Sequence, residues 1–275
     1  MNKPTVILNS DCDHMSYERM CMVFYYLNKY EIPFTTAMFY TLEDHEEFPH
    51  QRKTLAKHCR EYETVSFTDK DRNKTIKMLK YQLSLKNEVA YHGYSQISNT
   101  KEQFVKGVHE INNLLNYKMQ TYIEHGGKFN HHPVGMCKKE SLLLHGTNTT
   151  TPYYVVDAIR DNFSYSWTKH NLVGNKNEQA KNLSHEEIFY KEHGLKCFRR
   201  YRAKDLFVIK DSMKEGDVCI AYTHFGYDGH PSNYKLESWY NEKNIIKNCE
   251  QLSSLRDDGF RLTTIEKYCK EIEHE

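Results

Sequence analysis

Aspartates and histidines recur in this sequence just after short apolar runs, where a strand would deliver a side chain to a loop. The run Thr5-Val-Ile-Leu-Asn9 leads to Asp11-Cys12-Asp13. Two carboxylates two residues apart at a strand end can divide roles, one holding a cation and the other accepting a proton. The same pair can serve as an acidic cluster facing the free amides of a helix N-terminus. The stretch Glu88-Val-Ala-Tyr-His92-Gly-Tyr-Ser-Gln96 places an imidazole at a second strand end. A neutral imidazole there is a good ligand for zinc or another first-row metal, and the Gln96 amide oxygen binds metals more weakly. Without a metal, His92 reads as a histidine hydrogen-bonded in a turn that Gly93 bends. His224 follows Val218-Cys219-Ile220-Ala221 closely, a place where a general acid is held by a rigid element yet exposed. It reads equally as a solvated histidine at a strand end. His131-His132-Pro133-Val134-Gly135 is a loop signal whose histidines line a groove or shape a turn. Tyr94 and Trp167 either offer faces for a sugar ring or fill the core.

The elements that must hold these groups alternate. Phe34 to Phe39, entered through Pro33, reads as a second strand. Ser16 is positioned to cap a helix with Met20, Val23, Phe24 and Leu27 on one face. The spacing predicts helices over 46–61 and 69–85, with a short strand at 64–67 between them. Thr100 and Gln103 form a capping box for a helix carrying Phe104, Val108, Ile111, Leu115 and Met119, which is expected to stop near Gly126-Gly127. The stretch 136–204 is the least periodic and reads as irregular, insertion-like loops with short elements at 153–156 and 163–167. Strands at 206–209 and 217–222, a helix over 242–256, a strand near 260–263 and a final helix complete the chain. Such alternation predicts a parallel sheet, open or closed, with functional residues at the C-terminal ends of its strands.

Composition narrows the class. At 275 residues the chain is near the upper limit for one hydrophobic core, and both one large α/β domain and two smaller ones fit that length. Aromatics make up 13%, including 21 tyrosines, which favours a packed fold over disorder. Formal net charge is +1 with acids and bases interleaved, so no basic face for nucleic acid is evident. The eight cysteines form no CxxC pair, which argues against a zinc ribbon or thioredoxin-type site and for reduced thiols in the cytoplasm. The run 5–8 is too short for a secretory core, and no apolar run approaches the length of about 20 residues that spans a bilayer.

Taken in order, these motifs resemble the polysaccharide deacetylase superfamily (NodB-homology, carbohydrate esterase family 4), nearest to the deacetylase-like proteins of bacterial surface-polysaccharide loci such as those of O-antigen type. The resemblance implies one distorted (β/α) barrel of about seven strands over 1–275. It implies Asp11 as general base, Asp13 as metal ligand and His92 as a second ligand. Gln96 stands where the family has its second histidine. Only Pro133 and Gly135 match a third motif that has an arginine in the family, and Trp167 falls where an aromatic fourth motif is expected. Ala221-Tyr-Thr-His224 is similar to the motif that supplies a histidine acid. Tyr94, His131, His132 and Trp167 are then substrate-binding positions, the cofactor is a divalent metal such as zinc, and the partner is an N-acetylated sugar. His125, His131 and His132 are further sources for a third ligand. The alternative is a catalytically silent barrel that binds carbohydrate or a partner enzyme. A metal-free glycosidase using Asp11 and Asp13 is a third reading.

Overall fold

The computed structural model describes residues 3–12, 15–41, 65–95, 100–123, 155–169, 197–202, 210–225, 239 and 241–273. Strand β1 (Thr5–Asp11) is buried along its whole length, as a parallel strand covered on both faces must be. It pairs through Leu8–Asp11 with β2 (Phe34–Phe39) and over its full length with β7 (Val218–His224). From β2 the ladder continues through β3 (Glu88–Gly93), β4 (Thr121–Ile123), β5 (Tyr165–Lys169) and β6 (Cys197–Arg202) to β7. Every pairing is parallel, and the β1–β2 contact closes seven strands into a barrel, as expected from the motifs. An eighth strand, β8 (Arg261–Thr263), pairs with Thr5–Ile7 at the end of β1 that β2 leaves uncovered.

Strand alternation sorts the side chains into two cores. Ile7, Ala37, Ala90, Ile123, Tyr165, Val218 and Ile220 form one apolar cluster, and they are alternate residues of their strands. Ile265, Tyr268 and Cys269 of the last helix, α6 (Ile265–Ile272), join this same cluster. The interior is therefore packed, and α6 forms its floor. The other strand face, with Leu8, Phe34, Met38 and Tyr91, lies under α1 (Tyr17–Lys29), α2 (Arg72–Ser84), α3 (Lys101–Leu115) and α5 (Glu242–Ser254), in chain order around a short α4 (Val156–Asn162). Ser16 accepts the Arg19 amide at 3.2 Å, and Thr100 and Gln103 exchange bonds as the capping box predicts.

The floor is joined to the strands by a buried acid. Glu88, 2% exposed at the start of β3, accepts hydrogen bonds from Thr35 (2.7 Å), Thr121 (2.5 Å) and the Glu266 amide (2.9 Å). Thr35 Oγ1 also accepts from the Ile265 amide at 3.3 Å, and Thr264 from that of Lys267 at 3.4 Å. The first three amides of α6, which no helical carbonyl can serve, thus all have side-chain partners.

Three expectations differ from the structure. Helix α3 ends at Leu115 because Asn116 turns left-handed (φ 51°) and the Tyr117 amide bonds back to the Asn112 carbonyl at 3.1 Å, a helix-terminating motif. The chain beyond it is β4, not more helix. Residues 65–67 form no ladder: the Val65 amide bonds to Met15 O and that of Phe67 to Tyr40 O, one to each of two loops. Strand β6 comes from within 136–204, the stretch read as irregular, whereas β5 overlaps the short element expected there at 163–167. The helix expected over 46–61 and the strand over 206–209 lie outside the described residues.

Helix α3 approaches β3 closely because Gly107 has no side chain. A Cβ there would collide with the Tyr91 hydroxyl, which donates to Phe104 O at 2.9 Å, and would sit 3.2 Å from the Tyr40 Cβ. Tyr91 is fully buried and its ring stacks on Phe163, so it has little room to retreat. Gly107→Ala is expected to destabilise the fold by about 1–3 kcal/mol, the range for overpacked cores. Chemical denaturation of the two proteins checks this, and equal midpoints would contradict the contact.

Candidate active site

Three sequence-predicted residues meet at the C-terminal end of the barrel. Asp11 ends β1 and His224 ends β7, paired in register. Ser10, between the helices and the ladder, fixes their relation: its hydroxyl donates to Asp11 O at 3.0 Å and accepts the Phe225 amide at 3.3 Å. His92 arrives from β3 through a bulge. Met38 pairs with Tyr91 and Phe39 with Gly93, so His92 is the extra residue, and a bulge re-aims the side chain it carries. Gly93 takes φ 144°, which glycine adopts without strain.

The Asp11 carboxylate lies between the two imidazoles. Its Oδ2 stands 3.6 Å from His224 Nε2 and 3.9 Å from His92 Nε2. Asp11 and His92 are 2% and 1% exposed, whereas the His224 side chain keeps 24% of its surface, so access is from the His224 side. Asn9 Nδ2 donates to Asp11 Oδ1 at 3.4 Å. His92 Nδ1 lies 2.7 Å from the Ile123 carbonyl. A carbonyl only accepts, so Nδ1 carries a proton and the ring turns Nε2 toward Asp11. The Phe39 ring, 4.6 Å away centroid to centroid, packs against the imidazole.

This is the disposition of a histidine metal ligand, whose second nitrogen donates to a carbonyl or carboxylate that fixes ring and tautomer. The Nε2 freed in this way could hold a divalent cation, and Asp11 Oδ2, 3.9 Å from it, stands near enough to take a proton from a water on that cation. The described donor chemistry therefore fits a divalent cation. Among the described residues no three acidic, histidine or cysteine side chains form a complete cage. Asp13, Gln96, His125, His131 and His132 lie outside the described residues. Trp167 is in β5, with its backbone paired to Ile123 and Phe198. Tyr94 is largely buried, 5.3 Å from the Tyr40 ring, and its carbonyl accepts the Thr41 amide at 2.8 Å.

Asn9 and Ser10 belong to the site although their types did not single them out. Asn9 lies two residues before Asp11, hence on the same face of the strand, and that spacing was the available signal.

No protein-family model and no curated protein matches the chain. Solved structures similar to it include a CE4 family pseudoenzyme from Bacillus anthracis, at 10% identity and TM-score 0.45, with 97% of this chain and 65% of that one covered. They include the Xyl-CE4 domain of a multidomain xylanase from the hindgut metagenome of Trinervitermes trinervoides (11% identity, TM-score 0.45, 99% and 92% covered). A family 4 acetyl xylan esterase from Clostridium thermocellum, in complex with a cobalt ion, is a further one (9% identity, TM-score 0.43, 96% and 89% covered). The chain spans about two thirds of the length of the pseudoenzyme. The assignment of a barrel rests on the strand pairing itself. No helix among the described residues is long and apolar enough to cross a membrane.

Proposed function

We propose that the protein is a cytoplasmic, metal-dependent deacetylase that removes the acetyl group from an N-acetylated sugar or sugar precursor in surface-polysaccharide biosynthesis. One observation carries the chemistry: a single buried carboxylate oxygen, Asp11 Oδ2, faces imidazole nitrogens from two other strands at the open end of the barrel. The motif resemblance supplies the substrate class.

His92, with Asp13 and Gln96 by that resemblance, would hold the cation. When bound, a divalent metal such as zinc polarises an acetyl carbonyl and makes water a nucleophile near neutral pH. Asp11, sheltered from solvent and hydrogen-bonded by Asn9, accepts the proton of the attacking water. His224, on the exposed side, gives a proton to the departing sugar amine, so one water and one amide yield acetate and a free amine. The 3.6 Å between Asp11 and His224 lets the proton taken at one be returned through the other. Tyr94, Trp167, His131 and His132 are the positions from which the sugar would be gripped.

The test is acetate release from N-acetylated monosaccharides and their nucleotide-linked forms by zinc-loaded protein, with and without a chelator. Release that a chelator stops and zinc restores is expected. Absence of release from every substrate, together with no zinc in the replete protein by elemental analysis, would overturn the reading.

A further inference from the structure

We infer that Asn9 is the positioning residue that aims the carboxylate of Asp11, an inference that rests on the deacetylase reading of the site. The two side chains project from the same face of β1, and the two Asp11 oxygens have different partners. Oδ1 accepts from Asn9 Nδ2 at 3.4 Å, and Oδ2 is turned to His92 and His224. Holding Oδ1 decides the rotation of the carboxylate about its terminal bond, a torsion with broad, soft preferences of its own. Removing that donor takes away the described contact that holds Oδ1 turned from the imidazoles.

The orientation of the Asn9 amide follows from charge. Its oxygen would repel the carboxylate, so the NH2 group must face Asp11. The amide oxygen then points away, and among the described residues Asn9 Oδ1 has no hydrogen-bond partner although the residue is fully buried. A buried acceptor left unpaired weakens the fold, and a residue kept only for packing at this position would be apolar. The side chain beneath Asn9 on the same face, Ile7, is apolar and joins the interior cluster. An amide that carries one orphaned atom in such surroundings is explained by its other atom, the donor to Asp11.

The experiment compares Asn9→Val with Asn9→Thr. The two variants share shape and strand preference, and only threonine keeps a hydroxyl that can donate. In zinc-loaded protein Asn9→Val is expected to lower kcat by about 10- to 100-fold with KM and zinc affinity within about twofold, and Asn9→Thr to recover most of that loss. Equal kcat in the two variants, or a change confined to KM or zinc affinity, would overturn the assignment. A second readout does not use activity. Asn9→Val should lower the urea midpoint when Asp11 is present and not in an Asp11→Ala background, whereas equal shifts in both backgrounds would also overturn it. If the wild type releases no acetate, the deacetylase reading falls and the midpoint comparison still decides the role of Asn9.

Discussion

Asp11→Asn is expected to reduce acetate release by about 10²- to 10⁴-fold, the usual contribution of a general base, while the protein stays folded. The substitution preserves size and shape, so the packing around β1 is undisturbed. Its consequence is set by Asn9, whose NH2 group donates to the Oδ1 side of residue 11. That contact selects the rotamer in which the new amide presents its own oxygen to Asn9 and its nitrogen to the imidazoles. A group that could accept a proton from water is thereby replaced by one that can only donate. Steady-state kinetics and circular dichroism check this together. Retention of activity to within a few-fold, with intact structure, would remove Asp11 from the mechanism and leave it a structural acid.

The second large effect concerns the far end of the barrel and is read as stability against pH. Burial pushes the Glu88 carboxyl from its usual 4.5 up to about 7, and repulsion from the Glu266 carboxylate adds to this. The hydrogen bonds from Thr121, the Glu266 amide and Thr35 act in the opposite direction and offset only part of the rise. A folded-state value above the unfolded one means that the folded protein binds more protons between about 4.5 and 7. The stabilising contribution is therefore full below pH 4.5 and is lost as pH climbs through 7. Its size is on the order of 3 kcal/mol, from a shift of roughly two and a half units at 1.36 kcal/mol per unit. Urea denaturation at pH 5 and pH 8 should show this slope in the wild type and its loss in Glu88→Gln, whose amide can still accept from the Glu266 N–H. Identical slopes in the two proteins would show that Glu88 stays ionised in both states.

The limits of the sequence have physical causes at identifiable positions. Strands β1, β2, β3 and β7 were legible because each carries a short run of apolar or β-branched residues bounded by turn or polar residues, as parallel strands covered on both faces favour. The barrel was legible only through the order of motifs along the chain, since alternation of strands and helices allows open and closed sheets alike. Strand β4 was missed because Met119 and the residues after it continue the apolar spacing of α3, and the stop signal was a single asparagine, Asn116. Strand β6 carries Arg199, Arg200 and Arg202 among its six residues, a composition that argues against a strand of a barrel wall. At the site, Asp11, His92 and His224 were legible as reactive types at strand ends. Glu88 was not, because a glutamate at the first position of a strand reads as a solvated boundary. What makes it an interior residue is a pair of threonines, Thr35 and Thr121, on neighbouring strands.

Closure of the ring by β1 has a kinetic consequence. The contact between Ser10 and Phe225 that sets Asp11 beside His224 spans 215 residues of chain. Local elements such as α3, with its own cap and stop, can form within microseconds, whereas so distant a pairing must first overcome the entropy of closing a very long loop. Until it forms, β1 has an open edge on one side, and an open edge pairs readily with other chains. The reactive geometry is thus expected among the last features the folding chain acquires, at a step that competes with aggregation.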